Sequence, residues 1–319
     1  MKISIIGCGR WGSLITWYLD KIGQDVTLYG RESDPSMKRF IAERRNDLLT
    51  LPESVKLTTD ITDVPKGDVI LISVNSQGLR SLLRELAPFD IKNKIFILCM
   101  KGIEISTGMR LSEVTSSEVD PSNKVAVWIG PGHVQEFYAG VPNCMVIDSN
   151  DSSVKEMLVD TFSSDLIRFY YGEDLIGNEL GAALKNVIGI AAGMLDGLGM
   201  TTLKGPLMSR GTREVARLIE AMGGNGISAY GLCHLGDYEA TVFSKFSHNR
   251  HFGEAYIKGE EYSLLAEGYY TAEAVHKLAE KYDVEMPICE AVYQVLYYKV
   301  EPKDALGKLF RRSLKSELR

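Results

Sequence analysis

The first half of the chain alternates short apolar runs with amphipathic stretches. Runs rich in Ile and Val predict strands buried on both faces, at residues 2–6, 26–29, 68–74, 94–100, 125–129 and 144–147. Segments between these runs, such as 12–21 and 78–86, predict helices. Strands that alternate with helices indicate a doubly wound parallel sheet of the Rossmann type.

The second half has a different pattern. From about residue 173 the strand-like runs give way to helical patterns at 175–195, 204–221, 271–282 and 287–298. We place a domain boundary near Gly172, with a dinucleotide-binding domain over 1–172 and a helical substrate domain over 173–319. The most apolar stretch, 187–195, stops at Asp196, short of the ~20 residues that a membrane-spanning helix needs.

Composition narrows the function classes. The chain has 319 residues, is 45% hydrophobic and 24% charged, and has a net charge of −6, which argues against general nucleic-acid binding. Its five cysteines are scattered and never form CxxC, so we expect neither a disulfide framework nor a metal site. The first apolar run is too short for a signal peptide, and we expect a cytoplasmic protein.

The first predicted strand runs into a GxGxxG motif that opens a predicted helix. Gly7 suits the tight turn, Gly9 lets the backbone approach a pyrophosphate, and Gly12 lets the helix pack closely on the strand. The free N–H groups at the helix N-terminus attract an anion. In this context the motif predicts dinucleotide binding rather than a purely structural turn.

The end of the second strand indicates which dinucleotide is bound. NAD enzymes usually place an acidic residue there for the ribose 2′-hydroxyl, but this chain has Tyr29-Gly30-Arg31 at the strand tip. Arg31 could hold a 2′-phosphate, so we favour NADP(H) over NAD(H). Glu32 follows immediately and keeps NAD(H) open as an alternative.

The helix predicted at 175–195 contains an unusual lysine. Its apolar face does not include Lys185, whose neighbours one turn away include Gly181 and Gly189. Small residues let ligand atoms approach a lysine closely, and they equally suit packing between helices. A lysine can donate a proton to a carbonyl oxygen during reduction and accept it in reverse. Lys101, just after a strand, is a candidate second cation that would lower the pKa of Lys185.

These residues and several further motifs resemble the bacterial NAD(P)-dependent glycerol-3-phosphate dehydrogenase family over nearly the whole length. The ordered motifs include the glycine loop, the segment from Lys101 to Glu104, Gly130-Pro131, the helix from Glu179 to Asn186, Gly236-Asp237, the segment from Ser247 to Gly253, and Glu267-Gly268. The resemblance implies a dinucleotide-binding domain followed by an all-α domain, as in 6-phosphogluconate dehydrogenase. It also implies a homodimer.

The implied reaction is the reversible reduction of dihydroxyacetone phosphate to sn-glycerol 3-phosphate, a phospholipid precursor. Lys185 matches the proton-transferring lysine, Lys101 the lysine that contacts substrate and nicotinamide, and Asp237 an acidic residue at the glycerol end. Further implied substrate positions are Gly130, Gly132, Asn186, Ser247, His248 and Asn249. Implied cofactor positions are Gly7, Gly9, Arg10, Trp11, Gly12, Arg31, Lys101, Val134, His248, Leu265 and Glu267.

Some positions depart from the family pattern. The family usually has Ser or Thr at Gly132, Arg at His248 and Ser at Arg10. A histidine is partly charged near neutral pH, so we expect the affinity for the substrate or the cofactor to weaken as pH rises through the imidazole pKa.

Two alternatives therefore stay open. One is a related lysine-dependent reductase of an unphosphorylated keto or hydroxy acid, and the other is a cofactor-binding regulator without catalysis. The retained Lys101, Lys185 and Asp237 argue against a regulator, which would need only the glycine loop.

Overall fold

The computed structural model describes residues 1–314 and residue 316. Within these residues the strands are β1 (Lys2–Ile6), β2 (Asp25–Tyr29), β3 (Lys56–Thr58), β4 (Val69–Ile72), β5 (Ile95–Leu98), β6 (Lys124–Ile129), β7 (Asn143–Ser149) and β8 (Ile167–Tyr171). The helices are α1 (Arg10–Lys21), α2 (Pro35–Glu43), α3 (Leu79–Leu86), α4 (Leu111–Glu118), α5 (Val134–Tyr138), α6 (Ser152–Phe162), α7 (Leu175–Gly197), α8 (Lys204–Ala221), α9 (His248–Lys258), α10 (Glu267–Lys281), α11 (Pro287–Tyr298) and α12 (Pro302–Phe310).

In the described part of the chain, the strands form one 8-stranded sheet in the order β3-β2-β1-β4-β5-β6-β7-β8. Neighbouring strands are parallel except β6 and β7, which pair antiparallel with Trp128 opposite Ile147. The predicted doubly wound sheet is present and mostly parallel, and among the described strands this pair is the one exception. The connection from β6 to β7 contains only one short helix, the five-residue α5. It is too short to bring the chain back to the end of the sheet at which β6 begins, as a parallel pairing would require.

Both faces of the sheet are covered, as the continuous apolar runs predict. Ile5 and Leu28 pack on one face with Leu14 of α1 and Phe162 of α6. The other face carries residues of β4 and β5 together with helices α3 and α4, in a second core that includes Ile72. All residues of β4 are buried, because side chains that alternate across the strand enter one core or the other.

Strands β3 and β8 were not predicted from the pattern. β8 lies at the edge of the sheet and buries only Ile167 and Phe169, while the other three residues are exposed. It therefore lacks the continuous apolar run that marks the central strands. β3 has only three residues, and none of them is fully buried.

The helical half is built around α7, the helix that contains Lys185. Predicted helices 204–221 and 287–298 agree with α8 and α11, whereas α10 begins at Glu267, before the predicted start at 271. Nearly every residue of α7 from Leu175 to Leu195 is buried, because neighbouring helices surround it. A helix with an apolar environment on all sides is expected at the centre of a core.

The two halves differ in their elements. The last strand ends at Tyr171, and α7 begins at Leu175 with Asp174 as its N-cap. We retain the division near Gly172 as a proposal supported by this change, with residues 315 and 317–319 of the second unit outside the described part. Over the described residues, none of the helices has both the length and the apolar character needed to cross a membrane.

Candidate active site

The glycine loop joins β1 to α1. Gly7 has φ +111°, and a Cβ there would overlap the carbonyl of Ser73. A Cβ on Gly12 would overlap the carbonyl of Gly7, so Gly12 is needed for the close approach of α1 to the loop. Gly9 faces open space and caps α1 without a side-chain hydrogen bond. This bare helix N-terminus fits a dinucleotide pyrophosphate, because the backbone N–H groups are accessible.

Asp237 lies at the centre of the site. Its carboxylate is only 1% exposed and belongs to a short 3₁₀ helix, Leu235–Asp237. Oδ2 of Asp237 accepts hydrogen bonds from Nζ of Lys101 at 2.7 Å, and it lies 2.9 Å from Nζ of Lys185. Lys101 follows β5 and Lys185 lies in α7, so both halves of the chain contribute a lysine to one carboxylate.

The electrostatics of Lys185 follow from this arrangement. Burial lowers its pKa from 10.5 to about 8, Asp237 acts in the opposite direction, and the nearby charge of Lys101 lowers it further. This agrees with the expectation that Lys101 acts as the second cation. Two ammonium groups share one carboxylate, so the cluster can attract an anionic substrate.

Thr241 belongs to the site although the sequence analysis missed it. Nζ of Lys185 donates a hydrogen bond to Oγ1 of Thr241 at 2.7 Å. Thr241 lies in a π-helical turn, Glu239–Phe243, and such turns often occur at functional sites. The signal in the sequence is its position four residues after Asp237, which places both side chains near each other on a helical turn.

The glycines beside Lys185 have a packing role. A Cβ on Gly181 would lie 3.0 Å from Cβ of His234, and a Cβ on Gly189 would lie 2.7 Å from Cγ2 of Thr241. Small residues beside Lys185 could serve close approach of a ligand or packing within the protein. The structure supports packing within the protein. At Gly189 this packing brings Thr241 to the helix that carries Lys185.

Trp11, Lys101 and Gly130 lie together at the carboxyl edge of the sheet. Nζ of Lys101 is 5.8 Å from the centre of the Trp11 ring and donates to the Gly130 carbonyl at 2.6 Å. Gly132 has φ +133°, and a Cβ there would lie within the space of the Phe137 ring. Phe137 therefore explains why this chain has no hydroxyl-bearing residue at position 132.

Two amide side chains, Asn186 and Asn249, link the segments that surround the site by hydrogen bonds. Asn186 donates to the Lys101 carbonyl at 3.0 Å and accepts from Asn249, also at 3.0 Å. Asn249 in turn accepts from the backbone N–H of Gly268 at 2.9 Å. Ser247 is the N-cap of α9 and accepts a hydrogen bond from the backbone N–H of Arg250. These groups make protein contacts, and their binding to substrate stays a prediction.

The implied cofactor residues differ in their surroundings. Glu267 accepts hydrogen bonds from the backbone N–H of Ser76 at 3.2 Å and from its hydroxyl at 2.6 Å, which joins α10 to the loop after β4. Burial raises the pKa of Glu267. The Val134 side chain is 2% exposed within the core, so only its backbone can meet a ligand, while Leu265 is exposed.

Two further arginines, Arg31 and Arg250, form ion pairs with acidic residues. Arg31 lies 2.7 Å from Glu85 in an exposed ion pair. Arg250 lies 2.5 Å from Asp196, which Lys204 also contacts. Within the described residues, no group of three or more His, Cys, Asp or Glu side chains is arranged to hold a metal ion. All five cysteines lie in the described range and are free thiols.

Arg10 and His248, which both depart from the family pattern, contact each other across the cleft. A nitrogen of the Arg10 guanidinium donates to Nε2 of His248, and Nδ1 of His248 lies 2.8 Å from the Tyr262 hydroxyl. Burial and the charge of Arg10 lower the pKa of His248. Both effects favour the neutral imidazole over the charged form, and the pH dependence expected from His248 stays a prediction.

The family to which this chain is similar consists of dinucleotide-dependent enzymes, which agrees with the glycine loop of the site. Residues 2–155 match the sequence profile of the NAD-dependent glycerol-3-phosphate dehydrogenase N-terminus, and residues 174–307 match that of the C-terminus. A glycerol-3-phosphate dehydrogenase [NAD(P)+] of Agathobacter rectalis is 37% identical over 99% of this chain and 97% of its own length. One from a Thermoanaerobacter species is 33% identical over 100% and 99%.

Solved structures of glycerol-3-phosphate dehydrogenases also resemble this chain. The glycerol-3-phosphate dehydrogenase of Coxiella burnetii has a TM-score of 0.91 and 30% identity, covering 98% of this chain and 99% of its own. A ketopantoate reductase from Ralstonia eutropha has a TM-score of 0.65 and 13% identity, covering 96% and 100%. The second likeness shows the fold alone.

Proposed function

Because this chain belongs to the NAD-dependent glycerol-3-phosphate dehydrogenase family, we propose that it reversibly reduces dihydroxyacetone phosphate to sn-glycerol 3-phosphate with NAD(P)H. The observation that carries the proposal is the pair of lysines from opposite halves of the chain on buried Asp237, beside the glycine loop. The product would serve as the glycerol backbone for phospholipid synthesis.

The residues at the cleft fit a nicotinamide dinucleotide. The open backbone at Gly9 and the α1 N-terminus would hold its pyrophosphate, and Trp11 and Lys101 lie where the loop meets the site. When bound, the nicotinamide supplies the hydride for reduction or accepts it in the reverse direction.

We assign the proton transfer to Lys185. Its ammonium form donates a proton to the carbonyl oxygen of the ketone, and its amine form accepts the proton from the alcohol in reverse. With a pKa of about 8, both forms are populated near neutral pH. Asp237 and Thr241 hold the Nζ atom, and Lys101 provides a second positive charge for the oxygen that becomes negative during the reaction.

We favour NADPH as the cofactor. No acidic residue stands at the tip of β2, where Arg31 is exposed and can exchange its contact with Glu85 for a 2′-phosphate. An exposed ion pair of this kind contributes ~1 kcal/mol or less, so breaking it is a small cost.

A matrix of cofactors and substrates on the purified protein tests these proposals. NADPH and NADH are each combined with dihydroxyacetone phosphate and with ketopantoate, an unphosphorylated keto acid, and kcat/KM is measured. We expect turnover of dihydroxyacetone phosphate, with a larger kcat/KM for NADPH than for NADH. Turnover of the unphosphorylated acid alone would favour the related reductase, and binding of NADPH with no turnover of either substrate would favour the regulator. A larger value for NADH would contradict the cofactor preference.

A further inference from the structure

Arg10 is distinguished from the other cations at the cleft by its partners. Lys101 and Lys185 share Asp237, and Arg250 is paired with Asp196. The Arg10 guanidinium contacts His248 Nε2 and, at 3.4 Å, the amide oxygen of Gln135. Among the described residues no carboxylate forms an ion pair with it, so its positive charge has no direct acidic partner in that part of the chain.

The contact also determines the state of His248. A guanidinium has only donors, so Nε2 of His248 must be an unprotonated acceptor. The proton of the neutral imidazole is then on Nδ1, which donates to the Tyr262 hydroxyl at 2.8 Å. Arg10 therefore carries the full positive charge of this cluster, while His248 and Tyr262 restrict the position of its side chain.

Arg10 is also the first residue of α1, directly after the open Gly9. Its guanidinium reaches across the cleft to His248 at the start of α9, so it lies between the two halves of the chain. A planar guanidinium can bind phosphate oxygens in a bidentate manner, which the point charge of a lysine cannot do.

We propose that Arg10 binds a phosphate group of a ligand in this cleft, and that His248, supported by Tyr262, is the positioning residue for its guanidinium. The inference rests on the proposed function, which brings two sources of phosphate to the site: the pyrophosphate of the dinucleotide and the phosphate monoester of the substrate. Because no carboxylate among the described residues is paired with Arg10, an incoming phosphate would not have to displace an acidic side chain from it.

The first test replaces Arg10 by Ser. We measure the Kd of NADPH by fluorescence titration and the KM of dihydroxyacetone phosphate at saturating NADPH. Loss of a charge-assisted contact should raise one of these constants by at least about tenfold with little change in kcat. A higher Kd of NADPH identifies the nucleotide phosphates, and a higher KM with an unchanged Kd identifies the substrate phosphate. Arg168→Ser, a change at an exposed arginine of β8, is the control for loss of charge.

The second test concerns His248. His248→Phe keeps a ring without the acceptor, and it should raise the same constant as Arg10→Ser, whereas His248→Gln, which keeps an acceptor, should stay near wild type. The double variant Arg10→Ser with His248→Arg, which moves the guanidinium to the opposite wall of the cleft, should recover most of the affinity. A double variant as weak as Arg10→Ser would count against a shared phosphate position.

Unchanged Kd and KM in Arg10→Ser would overturn the proposal. An effect of His248→Phe on kcat alone would overturn the positioning role. The NADPH titration needs no turnover, so it reports on Arg10 even if dihydroxyacetone phosphate is not a substrate. Failure of this inference is thus distinguishable from failure of the proposed function.

Discussion

At the scale of single residues, the chemistry depends on how one carboxylate is shared. Asp237 contacts both lysines, and its negative charge raises the pKa of Lys185 while burial lowers it. Without Asp237 the ammonium form would be costly in so buried a position. Without burial the pKa would stay near 10.5, and the amine form needed for alcohol oxidation would be scarce at neutral pH.

Replacing Lys185 by Ala should lower kcat by ~100-fold or more in both directions while NADPH affinity stays near wild type, because only the proton donor is lost.

In the wild type, kcat for reduction should fall as pH rises through about 8, since the ammonium form is needed, and kcat for oxidation should rise over the same range. Stopped-flow measurement of single turnovers across pH checks both statements.

The control for this variant is Lys277→Ala, which removes an exposed lysine on α10 that is paired with Glu273. Its kinetics should match those of the wild type. If Lys185→Ala kept wild-type turnover, or if the inflection near pH 8 persisted in it, the assignment of proton transfer to Lys185 would be wrong.

At the scale of elements, the site depends on how closely α7 and α9 cross. A Cβ on Gly193 of α7 would overlap the carbonyl of Arg250, and a Cβ on Gly253 of α9 would overlap the carbonyl of Ile190. The two glycines allow the backbones to touch, as small residues do at tightly packed helix crossings. This contact places Asn249 of α9 against Asn186 of α7, one position from Lys185.

Gly193→Ala should therefore destabilise the protein by about 1–3 kcal/mol, because the added methyl group forces the helices apart. Gly205→Ala in α8 is the matched control, since a Cβ there meets nothing within 4 Å and alanine is the better helix former. The free energy of unfolding from urea titrations compares the two variants. Equal stabilities would show that the crossing tolerates a methyl group.

At the scale of the whole molecule, buried polar contacts join the two halves around the cleft. Nη1 of Arg110 lies 2.6 Å from Oε2 of Glu179 in α7, and Glu179 also accepts from the backbone and the hydroxyl of Ser112. Burial raises the pKa of Glu179, and the charge of Arg110 opposes this effect. Together with Glu267 and Asp237, this pair holds α7 and α10 against the loops that follow the strands.

Arg110→Met should cost about 3–5 kcal/mol, because it leaves the carboxylate of Glu179 buried without its cation. Removing Arg110 also removes the charge that lowers the pKa of Glu179, so this pKa should rise further in the variant. A protein loses stability as pH rises past the ordinary pKa of a carboxyl group whose pKa is raised by folding, so the deficit relative to the wild type should grow from pH 5 to pH 7. The double variant Arg110→Met with Glu179→Gln should recover part of the loss and remove that pH dependence. Thermal unfolding at both pH values measures this, and an additive double variant would contradict the coupling.

The sequence alone determined the local features of this protein. Periodic apolar runs predicted the central strands and the helices α7, α8 and α11, and the GxGxxG spacing predicted the loop at Gly9. Lys101, Lys185 and Asp237 could be singled out because their residue types and motifs carry chemistry and family resemblance. The structure brings these three side chains together at one carboxylate.

Only the tertiary structure decided which distant residues meet. The antiparallel pairing of β7, the contact of Thr241 with Lys185, and the contact of Arg10 with His248 join positions separated along the chain. Local pattern reports how a segment buries its own side chains, whereas these contacts depend on how whole elements pack. The charge of His248 is the clearest case, because a guanidinium 238 positions away along the chain contacts its Nε2 and favours the neutral imidazole.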